Sequence, residues 1–171
     1  TSDGFTVQGK LQRVPVPPSS GLAGVNITGV RVLVVDASNQ TIDSATNEIS
    51  VAIATDGHPS GGSSLVGTRE VAASGGMAEF DGVAIDKNGR GFVLSFSGDD
   101  SVIAVTSAAF DVMGQLVVVT QPGAVTAGAY MESVEGRIAD GNGADIETAV
   151  DAITASISVD GHPAGGSVLK G

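Results

Sequence analysis

The sequence predicts an all-β sandwich, and three observations support this. Apolar and polar residues alternate with period two in several short runs, the pattern of strands with one buried face. Turn-forming residues separate these runs at intervals of roughly eight to twelve residues. Gly occurs 25 times in 171 residues, about twice its ordinary usage, which suits a chain with many turns.

A long internal repeat organises the chain. Residues 56–63 read DGHPSGGS and residues 160–167 read DGHPAGGS, 104 positions later; residues 12–67 align with 116–171 without a gap, with 19 of 56 pairs identical. A second overlay, shifted by one residue, places residues 2–11 on 107–116. A period this long indicates an array of domains rather than a solenoid. We therefore predict the last strand of a preceding unit at residues 1–8, a complete domain at 9–113 and the first half of another at 114–171.

Composition excludes several classes of function. Eight basic and 19 acidic residues give a net charge of −11, too few cations to neutralise a phosphate backbone, so nucleic acid is not an expected partner. The chain has no Cys, which rules out disulfides and thiol chemistry. It contains no apolar run of about 18 residues, so this segment is not expected to span a membrane, and its first residues lack the features of a signal peptide.

The first elements are predicted to be a strand at residues 4–7, a short break at Gly9 and Lys10, and a second strand at residues 11–16. The break recurs at residues 113–115. A join of two or three residues leaves little room for independent motion, so neighbouring units are expected to form a stiff rod. The prolines at positions 15, 17 and 18 suit the edge or exit of a strand, because Pro donates no hydrogen bond to a sheet.

The middle strands show which residues face inward. Inward positions are apolar in both copies of the repeat, as at Val30, Val32 and Val34 and again at Ile49, Val51 and Ile53. Turns are predicted at residues 36–39, 74–76 and 86–89, where Asp, Asn, Ser and Gly cluster. The remaining inward positions are Ala78, Phe80, Phe92, Leu94 and Phe96, and residues 102–112 close the unit. About seven short strands of this kind favour an immunoglobulin-like β-sandwich, with a jelly roll or a small barrel as the alternative.

Several stretches resemble the tandem immunoglobulin-like repeats of large prokaryotic surface proteins, of the adhesin-stalk type. They include the strand end at residues 35–37, the loop and strand at 59–68, and residues 76–80, 91–94 and 106–112. The resemblance implies a stalk, spacer or filament at the cell surface or outside the cell. The sequence differs from many such domains in one respect. It has no Tyr near the start of the strand that holds Phe92, where the Tyr hydroxyl of those domains forms a stabilising hydrogen bond to the backbone.

The histidines, His58 and His162, each follow Asp-Gly and precede Pro. A turn explains this pattern, since Asp-Gly favours a turn and Pro restricts the residue before it. A metal or interface role is the alternative, and the two side chains are expected to lie too far apart to share an ion.

Two loops have the spaced oxygen ligands that calcium prefers, but without the Gly and Glu positions of an EF-hand. A hairpin turn is the preferred interpretation of each loop and calcium between units the alternative; the candidate ligands are Asp86, Asn88, Asp140, Asn142 and Asp145. Asn26 and Asn39 begin acceptor sequons for N-glycosylation and are expected to be exposed.

No catalytic constellation is visible in the sequence, so we do not expect an enzyme. The preferred interpretation is a structural rod or filament whose partners are neighbouring units of the same or identical chains. Two arrangements remain open: one long chain of many repeats, or subunits in which residues 1–8 complete a neighbour's sandwich by strand addition. The alternative function is an adhesin or carbohydrate-binding module, which the absence of Trp and the single Tyr, Tyr130, disfavour.

Overall fold

The structure is a computed structural model that describes residues 9–13, 20–99, 102–158, 160 and 162–169. The described part is all-β and contains no helix. The strand predicted at residues 4–7, the strand assigned to a preceding unit at 1–8 and the prolines at 15, 17 and 18 lie outside the described residues. We refer to residues 9–113 as the N-terminal region and to residues 114–169 as the C-terminal region.

Among its described residues, the N-terminal region has twelve strands. They are β1 (Gly9–Arg13), β2 (Ser20–Leu22), β3 (Arg31–Val35), β4 (Glu48–Thr55), β5 (Leu65–Val66), β6 (Glu70–Ala72), β7 (Met77–Glu79), β8 (Ala84–Ile85), β9 (Gly89–Ser97), β10 (Val102–Ile103), β11 (Val105–Thr106) and β12 (Phe110–Met113). One sheet has the order β10-β1-β3-β7, and a larger one has the order β2-β12-β9-β4-β6 with β11 also on β9. β5 and β8 form a separate pair.

The core of this region is made by the residues predicted to face inward, which is consistent with a β-sandwich. Val32 and Val34 from one sheet and Ile49, Leu94 and Phe92 from the other are buried in a single apolar cluster. The rings of Phe80 and Phe96 lie with centroids 5.8 Å apart. Burying side chains of this size contributes roughly 1.5–3 kcal/mol each, which makes the cluster the main source of stability.

Two sequence predictions about connections are wrong. Gly9 and Lys10 do not form a break, because they pair in parallel with β10 and Lys10 also pairs with β3. Gly fits there because a Cβ at position 9 would lie 3.1 Å from a methyl group of Val34. Residues 86–89 form a turn but not a hairpin, since β8 pairs with β5 rather than with β9.

An Asp side chain binds the backbone near the start of β9, the strand that holds Phe92. Asp111 on β12 accepts a hydrogen bond from the Gly91 amide at 2.9 Å, beside the irregularity in the β9–β12 pairing. Gly91 has a φ of 75°, a conformation that favours Gly. A carboxylate on β12 therefore holds the backbone of β9 at Gly91.

The C-terminal region contains two strands among its described residues, β13 (Gln115–Thr120) and β14 (Glu135–Ala139), which form an antiparallel pair. Gly114 alone separates β12 from β13. The bounds of β14 lie 104 positions after those of β3. Residues 140–158 then run back against the N-terminal region, where the candidate site lies.

Candidate functional site: the junction between the two regions

The site that stands out is the contact between the two regions, which we call the junction. Its N-terminal side consists of the loop at residues 56–63, the turn at 23–25 and Asn88. Its C-terminal side consists of the turn at residues 140–145 and the segment 146–151.

The loop at residues 56–63 is built around one carboxylate. Asp56 accepts hydrogen bonds from the His58 amide at 3.0 Å and from the Ser63 amide and hydroxyl, each at 2.8 Å. The Gly61 amide closes a turn onto the His58 carbonyl at 2.9 Å. Gly61 and Gly62 have positive φ, 64° and 72°, which suits Gly. The sequence therefore specifies the loop locally, and His58 opens a turn as predicted.

The same loop recurs at residues 160–167. Asp160 accepts from the His162 amide at 2.9 Å and from the Ser167 amide and hydroxyl at 2.8 and 2.7 Å. These hydrogen bonds hold the pKa of the Asp160 carboxyl below its usual 3.8. For Asp56 burial acts to raise the pKa, but the hydrogen bonds from Ser63 and His58 outweigh it and the pKa is also lowered. Both loops are therefore held by an ionised carboxylate at neutral pH.

His58 links the two regions. Its side chain is 4% exposed, with Nδ1 2.6 Å from the Asn88 carbonyl oxygen and Nε2 2.9 Å from the Thr148 hydroxyl. A carbonyl only accepts, so Nδ1 carries the proton and Nε2 of the neutral ring accepts from Thr148. His58 therefore opens a turn with its backbone and also contacts the other region with its ring.

Asn88 makes the second polar link. It is buried, and its Nδ2 donates to Asp151 of the C-terminal region at 2.7 Å. The Asn88 backbone also carries the carbonyl that orients His58. A single residue of the 86–89 turn therefore fixes the histidine and binds the partner segment.

The turn at residues 140–145 packs on the turn at residues 23–25. The Gly141 amide donates to the Ala23 carbonyl at 2.7 Å, and Asn142 Nδ2 donates to the Gly24 carbonyl at 3.0 Å. A Cβ added to Gly141 would lie 2.2 Å from a methyl group of Val25, and one added to Gly24 would lie 2.6 Å from the Asp140 carboxylate. Gly on both sides therefore allows this close approach.

Apolar packing completes the junction at the join between the regions. Ile138 lies over Gly114, where an added Cβ would be 2.5 Å from its methyl group, and Ile146 is buried. A cleft of about 410 Å³ opens beside this contact, with Arg90, Asp111 and Ile153 in its lining. The join thus has both hydrogen bonds and apolar contact to limit its motion.

The calcium candidates lie at or near the junction, and the three carboxylates among them accept hydrogen bonds or pair with a cation. Asp86 accepts from the Ser64 amide, Asp140 from the amides of Asn142 and Ala144, and Asp145 pairs with Arg137. Asn88 and Asn142 bind across the junction through their side-chain nitrogen atoms, and the buried Oδ1 of Asn88 has no hydrogen-bond partner among the described residues. Within the described ranges, no group of three or more His, Cys, Asp or Glu is placed to hold a metal ion.

The two glycosylation candidates are both exposed in the structure. Asn26 lies between β2 and β3, and Asn39 lies in the turn after β3 with a φ of 62°. The counterpart of Asn39 in the second copy is Gly143, with a φ of 86°. Asn39 is therefore explained by the turn alone, since Asn tolerates this conformation better than most residues.

Sequence reasoning missed Thr148 and Asp151, the residues that contact His58 and Asn88. Hydroxyl and carboxylate side chains are common, and nothing local marks these two. The repeat offered one signal: position 148 is Thr and its counterpart, position 44, is Ser, so a hydroxyl occurs in both copies.

Comparison with known proteins gives no match to a protein-family model, to a curated protein or to a solved structure. No helix in the described part of the chain has the length and apolar character needed to cross a membrane.

Proposed function

We propose that this chain is a structural protein in which immunoglobulin-like units repeat in tandem and dock end to end as an extracellular or cell-surface rod, stalk or filament. The observation that carries the proposal is the junction. A single-residue join, four hydrogen bonds between side chains or backbones of the two regions and a buried histidine hold one repeat against the next.

Recurring local structure supports the tandem arrangement. The hydrogen bonds that close the turn after β3, from the Asp36 amide to Gln40 and from the Ile42 amide to Val34, recur 104 positions later from Asp140 to Ala144 and from Ile146 to Ile138. β-Sandwiches host many activities, so the fold alone would not select a structural role. A rod requires in addition that successive units keep a fixed angle, which the junction would provide.

Distance measurement in solution tests the rod. Because the chain has no Cys, spin labels attach only at introduced cysteines, and the double variant Thr106→Cys/Thr120→Cys places one label on β11 and one on β13. We expect a narrow distance distribution by double electron–electron resonance. Insertion of a flexible Gly-Ser segment after Gly114 is the matched control and should broaden it. A distribution as broad without the insertion as with it would refute the rod.

A carbohydrate-binding role is the second candidate, and Tyr130 is the observation that favours it. This side chain is 95% exposed in the connection between β13 and β14, and exposed aromatic rings stack on sugars. Robust binding of the chain to a glycan array, lost in Tyr130→Ala, would favour this candidate over the rod.

A further inference from the structure

We propose that the face of the N-terminal region around Ser44 docks a second copy of this chain through that copy's His162 loop and the turn at its residues 127–129. The inference rests on the proposed function and extends the junction inside one chain to a contact between chains. A head-to-tail contact of this kind repeats without closing and produces a filament.

The Ser44 face retains two features of the C-terminal side of the junction, a hydroxyl and an Asp-centred turn. Ser44 corresponds to Thr148, and both are exposed residues with a hydroxyl group. Each lies in a turn closed by one backbone hydrogen bond, from the Ala45 amide to the Ile42 carbonyl in the first copy and from the Ala149 amide to the Ile146 carbonyl in the second. Asp36 forms the same turn as Asp140, accepting the amides of Ser38 and Gln40 through one oxygen. The surface that receives His58 inside the chain thus has a counterpart at the other end of the N-terminal region.

Two parts of the presenting side, the histidine loop and the Gly turn, recur in local conformation in the second copy. The His162 loop has the three hydrogen bonds of the His58 loop, but His162 is exposed where His58 is buried. Gly128 has a φ of 85°, close to the 72° of its counterpart Gly24. The loop and the turn are therefore formed before any partner arrives, which lowers the cost of ordering them on binding.

A compensating pair of side chains identifies the partner as this chain. Inside the chain, Val25 meets Gly141, where a Cβ would come within 2.2 Å of the Val25 methyl group. The Ser44 face has Ala37 in place of Gly141, so a partner with Val at the facing position would clash. The second copy of the repeat has Ala129 there, and the smaller residue leaves room for the Ala37 methyl group.

The proposed hydrogen bond between His162 and Ser44 does not require a residue that orients the His162 ring as the Asn88 carbonyl orients His58. His162 Nδ1 accepts from the Ala164 amide at 3.2 Å, so the neutral ring carries its proton on Nε2. A hydroxyl both donates and accepts, and Ser44 therefore accepts from His162 where Thr148 donates to His58.

Cross-linking between single-cysteine variants tests the contact. A mixture of Thr46→Cys, beside Ser44, with Ala164→Cys, beside His162, is treated with a short bis-maleimide over a range of protein concentrations. Ser60→Cys replaces Ala164→Cys as the matched control, because position 60 is its counterpart in the His58 loop, which Thr148 already occupies. We expect a heterodimer that increases with concentration for the first pair and not for the control.

Three further substitutions establish the mode of docking. His162→Ala or Ser44→Ala should each lower the cross-linked yield about fivefold, the value of one hydrogen bond, and the double change should add little. Ala129→Val in the presenting copy should lower the yield, and Ala37→Gly in the receiving copy should restore it. Restoration by a smaller residue requires direct contact between these two positions.

Equal yields for position 164 and position 60, or a yield unaffected by Ala129→Val, would overturn the inference. A narrow distance distribution between the β11 and β13 labels combined with no cross-link would refute the contact between chains and leave the rod within one chain intact. A broad distribution would refute the rod, on which this inference rests.

Discussion

Residues 48–55 and 152–158 share a pattern but not a structure. The first stretch is β4, paired with β9 and β6, while the second forms no strand within its described residues. Ile49 is fully buried and its counterpart Ile153 is 53% exposed. By contrast, the loops at 56–63 and 160–167 have the same hydrogen bonds. Short-range bonds form in both copies, whereas a strand forms only where another strand lies beside it.

The largest effect on the unfolding free energy should come from truncating Ile49, the buried member of the pair Ile49 and Ile153. Ile49→Ala leaves a cavity in the apolar cluster that also holds Leu94 and the Phe rings and should cost about 2–5 kcal/mol of unfolding free energy. Ile153→Ala, the matched control on the exposed copy, should stay within about 0.5 kcal/mol. Denaturant titration measures both. Similar costs at the two positions would mean that residues 152–158 are packed like β4.

The next largest effect on the unfolding free energy should distinguish the two histidines. His58→Ala removes the bonds to Asn88 and Thr148 and leaves a buried carbonyl without a partner, a loss of about 1–3 kcal/mol. His162→Ala should leave the unfolding free energy of the isolated chain unchanged, since that side chain is exposed. Thermal or denaturant unfolding of the two variants measures these changes. Equal losses of unfolding free energy for both would show that the His58 side chain does not contribute to the junction.

Gly24 and Gly128 separate local conformation from contact across the junction. Both have positive φ, so Ala at either costs about 1 kcal/mol for the left-handed conformation. At Gly24 the new methyl group also meets Asp140, whereas nothing lies within 4 Å at Gly128. Gly24→Ala should therefore cost about 1 kcal/mol more, through the lost bond from Asn142. Equal costs for the two variants would show that the turns do not touch.

The smallest effect is a pH dependence shared by both loops. The pKa values of Asp56 and Asp160 are lowered from 3.8, so their contribution to loop stability is present above the unfolded value and is lost as pH falls through the folded pKa. The protection factors of the Ser63 and Ser167 amides, which correct for the intrinsic pH dependence of exchange, should be high above the unfolded pKa and should fall as pH drops through the folded pKa. Asp56→Asn and Asp160→Asn should abolish this dependence, each in its own loop. Fast exchange at Ser167 at all pH values would contradict preformation of the second loop.

The sequence predicted what depends on neighbours along the chain. The alternation of Val30, Val32 and Val34 predicted their burial, and Asp-Gly predicted the turn at His58, because strand periodicity and turn chemistry are local. It did not predict that Gly9 pairs with Val102 or that His58 bonds Thr148, 90 positions away. Such partners are chosen by the packing of whole sheets, for which a single sequence offers no local mark.

The central claim is that the junction holds the two regions at one angle. Backbone residual dipolar couplings, measured for the strands of the N-terminal region and for β13 and β14 in one aligned sample, test it most directly. We expect a single alignment tensor to fit both sets, with the smaller set deviating in His58→Ala. Separate tensors of clearly different magnitude in the unaltered chain would show that the regions move independently and would contradict the rod.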